Sequence, residues 1–256
     1  MINSILNWVY PPTCMACNQW LALNNKQHEM WLCHRCKELF EPIKNPICNI
    51  CGVPMENPVP TCSSCNGKNF SFSFNHATFT YDDILRDVLL DLKFNNKKNI
   101  AHGLGKLWAE KICYSKCITD SVFIPLPMHK KKQKERGFNQ AEILSTELSK
   151  QLKTPTLSLL QRSIDTPPQA GLHPKLRAEN VKDVFVVKNN LKLDSSINYI
   201  IIDDIYTTGA SLNECAKTLK KAGANHVSCM TLAVTVKSSL SARFVQSNYV
   251  NNKKYT

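Results

Sequence analysis

The 256-residue chain has no apolar run of about 18 or more residues, which argues against a membrane-spanning helix. Its start, MINSILNWVY, lacks a basic n-region and a small-residue cleavage site, so it does not read as a signal peptide. Ile2, Ile5, Leu6 and Val9 at helical spacing suit a short packing helix instead. Low-complexity tracts and long tandem repeats are missing too. With no export signal, the expected compartment is the reducing cytoplasm. There the twelve cysteines point to metal ligation before disulfides.

Eight of those cysteines form four CxxC pairs: Cys14 with Cys17, Cys33 with Cys36, Cys48 with Cys51 and Cys62 with Cys65. Fifteen residues separate the first two pairs and ten separate the last two. Each CxxC turn aims two thiolates at one ion, and a second turn completes a tetrahedron. Two sequential Cys₄ zinc sites are the simplest arrangement, with a crossed pairing as the alternative. A closed four-ligand site leaves no open position for substrate, so structural Zn²⁺ is expected, standing in for a core that so short a segment cannot build. Cys113, Cys117, Cys215 and Cys229 lie outside this pattern and read as small buried hydrophobes.

Three zones follow. Residues 1–70 hold the cysteine pairs and Pro11, Pro12, Pro42, Pro46, Pro54, Pro58 and Pro60, which disfavours long helices. Residues 71–245 alternate strand and helix patterns, and 246–256 form a polar tail. NHATFTYD, SVFIPLP, DVFVV, YIII and HVSCMTLAVT read as strands. DDILRDVLLDLKF, AHGLGKLWAEKI, NQAEILSTELSKQL and a segment from about Ala210 to Ala222, stopped by Gly223, read as helices. The alternation predicts an α/β domain with a mostly parallel sheet and flanking helices, preceded by a small zinc-ribbon module.

The stretch DDIYTTGAS, 203–211, carries the strongest chemical signal. It follows an apolar strand, where ligands of open α/β sheets bind. Thr207, Thr208 and Gly209 turn into a helix whose free N–H groups suit a phosphate, with Ala210 and Ser211 opening the first turn. Asp203 and Asp204 suit ribose hydroxyls. The pattern describes a ribose 5-phosphate cradle. A plain N-capped helix with two solvated acids is the bland alternative.

These residues resemble the loop that binds phosphoribosyl diphosphate (PRPP) in type I phosphoribosyltransferases. PLPMHKKKQKERGFNQAE and TPPQAGLHPKLRAENVKDVF, placed after paired zinc ribbons, are similar to the ComF competence family. The resemblance runs from about Tyr10 to about Val236. It implies a type I phosphoribosyltransferase-like fold, with Asp203 and Asp204 on the ribose and 207–211 on the 5-phosphate. It also implies a pyrophosphate loop at Pro127 and Met128, often built around an unusual peptide in such folds, and Arg136 as the cation that reaches the diphosphate. A mobile loop over 162–180 would offer Arg162, Gln169, Lys175 and Arg177. Mg²⁺ would come with PRPP.

The formal charge of +12 calls for an anionic partner. Lys130, Lys131, Lys132, Lys134 and Arg136 could track a nucleic-acid backbone, with Phe138 stacking on a base. A solvated loop beside the anion site explains the same run equally well. The family resemblance implies single-stranded DNA as a partner, together with DNA-uptake or helicase proteins. The leading expectation is a competence protein that binds PRPP and handles imported single strands. An active phosphoribosyltransferase, with Asp203, Asp204 and Arg136 at its catalytic centre, and a PRPP-sensing regulator are the alternatives. No glutaminase segment is present, so glutamine-dependent amidotransfer is not supported.

Overall fold

The computed structural model describes residues 12–21, 31–94, 98–112, 120–166 and 180–236. The expected N-terminal helix, Cys113 and Cys117, the loop residues Gln169, Lys175 and Arg177, and the polar tail lie outside the described residues. Element order is α1 (His34–Leu39), β1 (Asn75–Thr80), α2 (Asp83–Phe94), α3 (Lys98–Lys111), β2 (Ser121–Pro125), α4 (Lys130–Arg136) and α5 (Gln140–Leu152). There follow β3 (Leu160–Arg162), β4 (Phe185–Val187), β5 (Asn198–Tyr206), α6 (Ala210–Lys221) and β6 (His226–Val234).

The main sheet has four parallel strands in the order β1-β6-β5-β2. Parallel sheets are covered on both faces, so their strands read as nearly continuous apolar runs. β2 and β6 do so: SVFIP is buried throughout, and HVSCMTLAV is buried from its second residue on. One face carries α2, α3 and α5. Val88, Leu89 and Leu92 of α2, Leu104, Leu107 and Trp108 of α3, and Leu144 and Leu148 of α5 pack there against Ile200 and Ile202. The Trp108 indole N–H donates to Thr78 Oγ1 at 2.8 Å, so its one polar atom is satisfied in the core. The opposite face carries α6 and the β3–β4 pair. Leu212, Cys215 and Leu219 pack there with Tyr199 and Ile201.

Cys215 and Cys229 are fully buried, as expected for small hydrophobes. DVFVV is a strand, but it pairs antiparallel with Leu160–Arg162 in a separate two-stranded unit outside the parallel sheet. A three-residue strand such as LQR shows too little alternation to be seen in sequence.

The two ribbons are joined to this body through its core. Cys14, Leu21, Leu32, Cys36 and Phe40 of the first ribbon share the core of the α2–α3–α5 face, where Phe40 meets Phe79 edge-on at 5.9 Å between ring centroids. Cys48, Cys51, Met55 and Cys65 of the second share the core of the α6 face. The edge strand β1 lies between them. Ile43 N–H donates to Thr78 O at 2.8 Å and Asn75 N–H to Ile50 O at 2.7 Å, so the ribbons' backbone blunts that edge. Among the described residues no helix is long and apolar enough to cross a membrane.

Candidate functional site: two Cys₄ centres and a cleft at the sheet

The cysteines group sequentially. Cys14, Cys17, Cys33 and Cys36 form one cluster and Cys48, Cys51, Cys62 and Cys65 the other, with the sulfurs of each within 4.8 Å of one another. The crossed pairing is not what the fold adopts. Sγ–Sγ separations of 3.8 Å for Cys17–Cys33 and for Cys51–Cys62 match the edge of a tetrahedron. Zn–S bonds of about 2.3 Å give an edge of about 3.8 Å. Backbone N–H groups of Cys33 and Cys62 point at Cys14 Sγ (3.4 Å) and Cys48 Sγ (3.3 Å), as suits thiolates. Burial opposes ionisation of Cys48, but hydrogen bonds from the Cys51, Cys62 and Ile50 amides bring it down to about 7. Burial, then the neighbouring thiolates, pushes Cys51 and Cys36 up. Four such thiols ionise together only around a cation, and the donor set is that of structural Zn²⁺.

The second site lies where β5 ends. The chain reaches β5 by way of α5 and leaves it by α6 on the other face, so the connections change side at this strand and open a crevice. β5 runs further than YIII suggested: Asp203, Asp204, Ile205 and Tyr206 all belong to it, in register with 231–234 of β6. The loop itself is therefore only 207–209. The adjacent acids stay in contact with each other but have different further neighbours.

Asp203 lines a small cleft with Thr207, Gly209, Ala210 and Ser211 at the start of α6. Thr208 Oγ1 lies 3.4 Å from the Ala210 amide. Gly209 has φ +74°, and a Cβ there would sit 2.4 Å from Tyr206 Oη. Glycine is thus required twice, for its backbone and for the phenol packed beneath it.

Asp204 is buried on the helical face. Its carboxylate accepts from Lys93 Nζ at 2.9 Å and from Gln140 Nε2 at 3.3 Å. Burial alone would raise Asp204, but Lys93 and Gln140 hold it below the usual carboxylate range. Burial would likewise lower Lys93, and Asp204 more than offsets it. Burial and the Asp204 charge drive Asp203 well above the ordinary range. The two neighbouring carboxyls are thus shifted in opposite directions, Asp203 upward and Asp204 downward. Lys93 and Gln140 were not identified from sequence. Lys93 sits in the last turn of α2, at a remote point of the chain, and only the fold brings it to β5.

The ERGFNQ stretch is explained residue by residue. HKKKQKER is not a loop: His129 caps α4 and left-handed Gly137 ends it. Arg136 Nη1 donates to Gln140 Oε1 at 2.8 Å, so Arg136, Gln140, Asp204 and Lys93 form one chain of contacts. Phe138 is 6% exposed and lies in the core, so it cannot stack on a base; its apolar ring is worth more buried. Asn139 caps α5 through Ala141 N–H and donates to Leu126 O at 3.0 Å, tying α5 to the turn that holds Pro127 and Met128. The peptide bonds of that turn are trans; the cis bond among the described residues is Asn45–Pro46.

Lys130, Lys131 and Lys134 are exposed on α4. Lys131 and Lys132 lie 3.8 Å from Asp165, and Lys132 Nζ donates to Thr166 O at 2.7 Å. Arg162 is a strand residue of β3, not a loop residue. Its guanidinium lies over the Phe185 ring and donates to Thr166 Oγ1.

Two ribbon-type Cys₄ centres on a parallel α/β body define a zinc-ribbon protein with a small cleft at the end of its sheet. A family profile for the double zinc ribbon domain matches residues 5–66. The chain is 27% identical to competence protein ComFC of Bacillus subtilis, covering 91% of this chain and 99% of that protein. It is 28% identical to competence protein F of Haemophilus influenzae, over 79% of this chain and 90% of the relative. It is 26% identical to the DNA utilization protein YhgH of Escherichia coli K12, over 88% and 98%. The chain is thus similar, over most of its length, to competence and DNA utilization proteins that it matches at 26–28% identity.

Proposed function

We propose that this chain binds PRPP, with its Mg²⁺, and serves DNA uptake in the cytoplasm by handling imported single-stranded DNA. The observation that carries the reading is the cleft at the end of β5. It combines a carboxyl at Asp203, a threonine–glycine turn and the N-terminus of a twelve-residue helix. Free amides and the helix dipole favour a phosphate dianion there. A protonated Asp203 donates a hydrogen bond to a sugar oxygen or, once ionised, accepts from a sugar hydroxyl. Asp204, held by Lys93 and Gln140, would meet the ribose from the other side. Arg136 stands one residue's contact away from Asp204, placed for the diphosphate. The competence and DNA-utilization names of the relatives support the cellular role. The exposed lysines of α4 support contact with a strand backbone.

Calorimetric titration with Mg·PRPP tests the cleft. Wild-type chain is expected to bind, and Asp203→Asn with Thr207→Ala to lose at least tenfold in affinity; equal affinity would remove the assignment. Binding of an oligonucleotide should weaken with salt, and Lys130→Ala with Lys134→Ala should reduce the log–log slope by about 1–2. A flat salt response removes the strand-handling role.

A second reading, phosphoribosyl transfer to a base or amine, is favoured by the Arg136–Gln140–Asp204–Lys93 chain. It sets two cations beside the carboxylates, where charge would develop on leaving pyrophosphate. Pyrophosphate release with a panel of acceptors, with and without single strands, tests it.

A further inference from the structure

We infer that the second zinc ribbon is a positioning element of the phosphate turn, acting through the strap 66–74 and Tyr206. This rests on the proposed reading that the turn binds the phosphate of Mg·PRPP.

From Cys65 the chain runs directly into NGKNFSFSF and along the underside of the cleft. Ser71 N–H donates to Asn213 Oδ1 at 2.6 Å, and Asn213 N–H in turn donates to Gly209 O at 2.8 Å, the first hydrogen bond of α6. Phe70 and Phe72 lie against each other at 5.0 Å between centroids, their rings tilted by 35°. Phe72 meets Tyr206 edge-on at 6.4 Å and 88°. Phe72 and Tyr206 are 3% and 4% exposed and share one buried cluster with Cys48, Cys51 and Cys65. The Tyr206 ring continues to Gly209, whose missing Cβ makes room for the phenol oxygen. That oxygen is buried and has no hydrogen-bond partner among the described residues. An unpaired buried hydroxyl is costly, and here the hydroxyl lies under the turn and within the lining of the cleft.

Two routes therefore run from the second metal centre to the same glycine. One goes through the backbone of the strap and Asn213. The other goes through the aromatic pair and Tyr206. The first ribbon has its own aromatic bridge, Phe40 to Phe79, but that leads to β1 on the opposite face. Two zinc centres of one ligand set thus have different reach. The second holds the turn in the arrangement that a phosphate needs before it binds, so less ordering is required on binding.

The test compares the two aromatic bridges in the full-length zinc-loaded chain. Phe72→Leu and Phe40→Leu each remove one bridge without touching a ligand. Mg·PRPP affinity by calorimetry is expected to fall about tenfold in Phe72→Leu and to stay within twofold in Phe40→Leu. Amide hydrogen exchange of 207–211, measured without ligand, is expected to quicken in Phe72→Leu alone. Cys62→Ser should reproduce the Phe72→Leu pattern and return about one zinc per chain. Should Cys62→Ser not fold, the Phe72→Leu result decides. Equal affinity and equal exchange in the two phenylalanine variants overturn the inference while leaving the PRPP reading intact. A wild-type chain that does not bind Mg·PRPP overturns the reading and the inference together.

Discussion

The two faces of the parallel sheet have the same parts and use them differently. Each face packs a Cys₄ ribbon, each has an aromatic bridge to the body, and each receives one carboxyl from the Asp203–Asp204 pair. On the α2–α3–α5 face the carboxyl is buried and ionised against Lys93, and the ribbon meets helices through Leu32 and Phe40. Beside α6 the Asp203 carboxyl, shifted upward by burial and by the Asp204 charge, lines the small cleft. The difference teaches that two identical neighbouring residues can be given different acidities by their surroundings. Asp204 is held by the Lys93 cation, and Asp203 is buried beside the Asp204 charge.

The sharpest way to break this comparison is to remove the metal. Apparent binding free energies of structural zinc sites are about 10–16 kcal/mol. Chelation is therefore expected to unfold both ribbons and to lower Tm steeply, with about two zinc per chain recovered beforehand. Circular dichroism with metal analysis checks this. Because each ribbon contributes to a shared core, melting should extend into the α/β body; a body that melts unchanged would show the ribbons to be mere appendages.

Next in size is Asp204→Asn. It leaves Lys93 in a mostly buried place without its counterion, and breaking such a pair costs about 3 kcal/mol. Denaturant midpoints should show the loss, and Lys93→Met combined with Asp204→Asn should recover much of it. Gly52→Ala tests the second ribbon's seating on β1. Gly52 has φ +73°, and an added Cβ would lie 2.8 Å from Asn75 O. Strain and overlap together predict a loss of about 2 kcal/mol.

Smallest is Asp203→Asn, which should stabilise the ligand-free chain by on the order of 1 kcal/mol while removing ligand affinity. The sign follows from the raised pKa of Asp203. A folded state that holds its proton more tightly than the unfolded one is favoured below the unfolded value. It loses that advantage as pH rises through the folded value. The Tm gap between variant and wild type should be least near pH 4 and should open toward neutral pH. A wild type more stable than the variant at pH 7 would contradict the upward shift of Asp203.

The parts legible in sequence were those encoded by local spacing. CxxC pairs set ligand geometry within four residues. Val88, Leu89 and Leu92 lie on one helical stripe, and so do Ala141, Leu144 and Leu148; each set is buried where its periodicity placed it. TTGAS marks a turn into a helix because its residues cap and loosen the backbone there. What stayed hidden depended on distant chain. A lysine run reads as solvated, yet Lys131 and Lys132 lie beside Asp165 more than thirty residues on. Phe138, next to that run, looked available for a base and is core.

By itself, then, the sequence determined the two Cys₄ sites, the α/β class and the tight turn at 207–209, because each is written in residues that touch along a few positions of chain. Only the tertiary structure decided that Asp203 and Asp204 shift in opposite directions, that Lys93 and Gln140 hold Asp204, and that Phe72 and Tyr206 link the second ribbon to Gly209. Those facts come from packing between segments far apart in sequence, where burial and neighbouring charge, not residue type, set what a carboxyl can do.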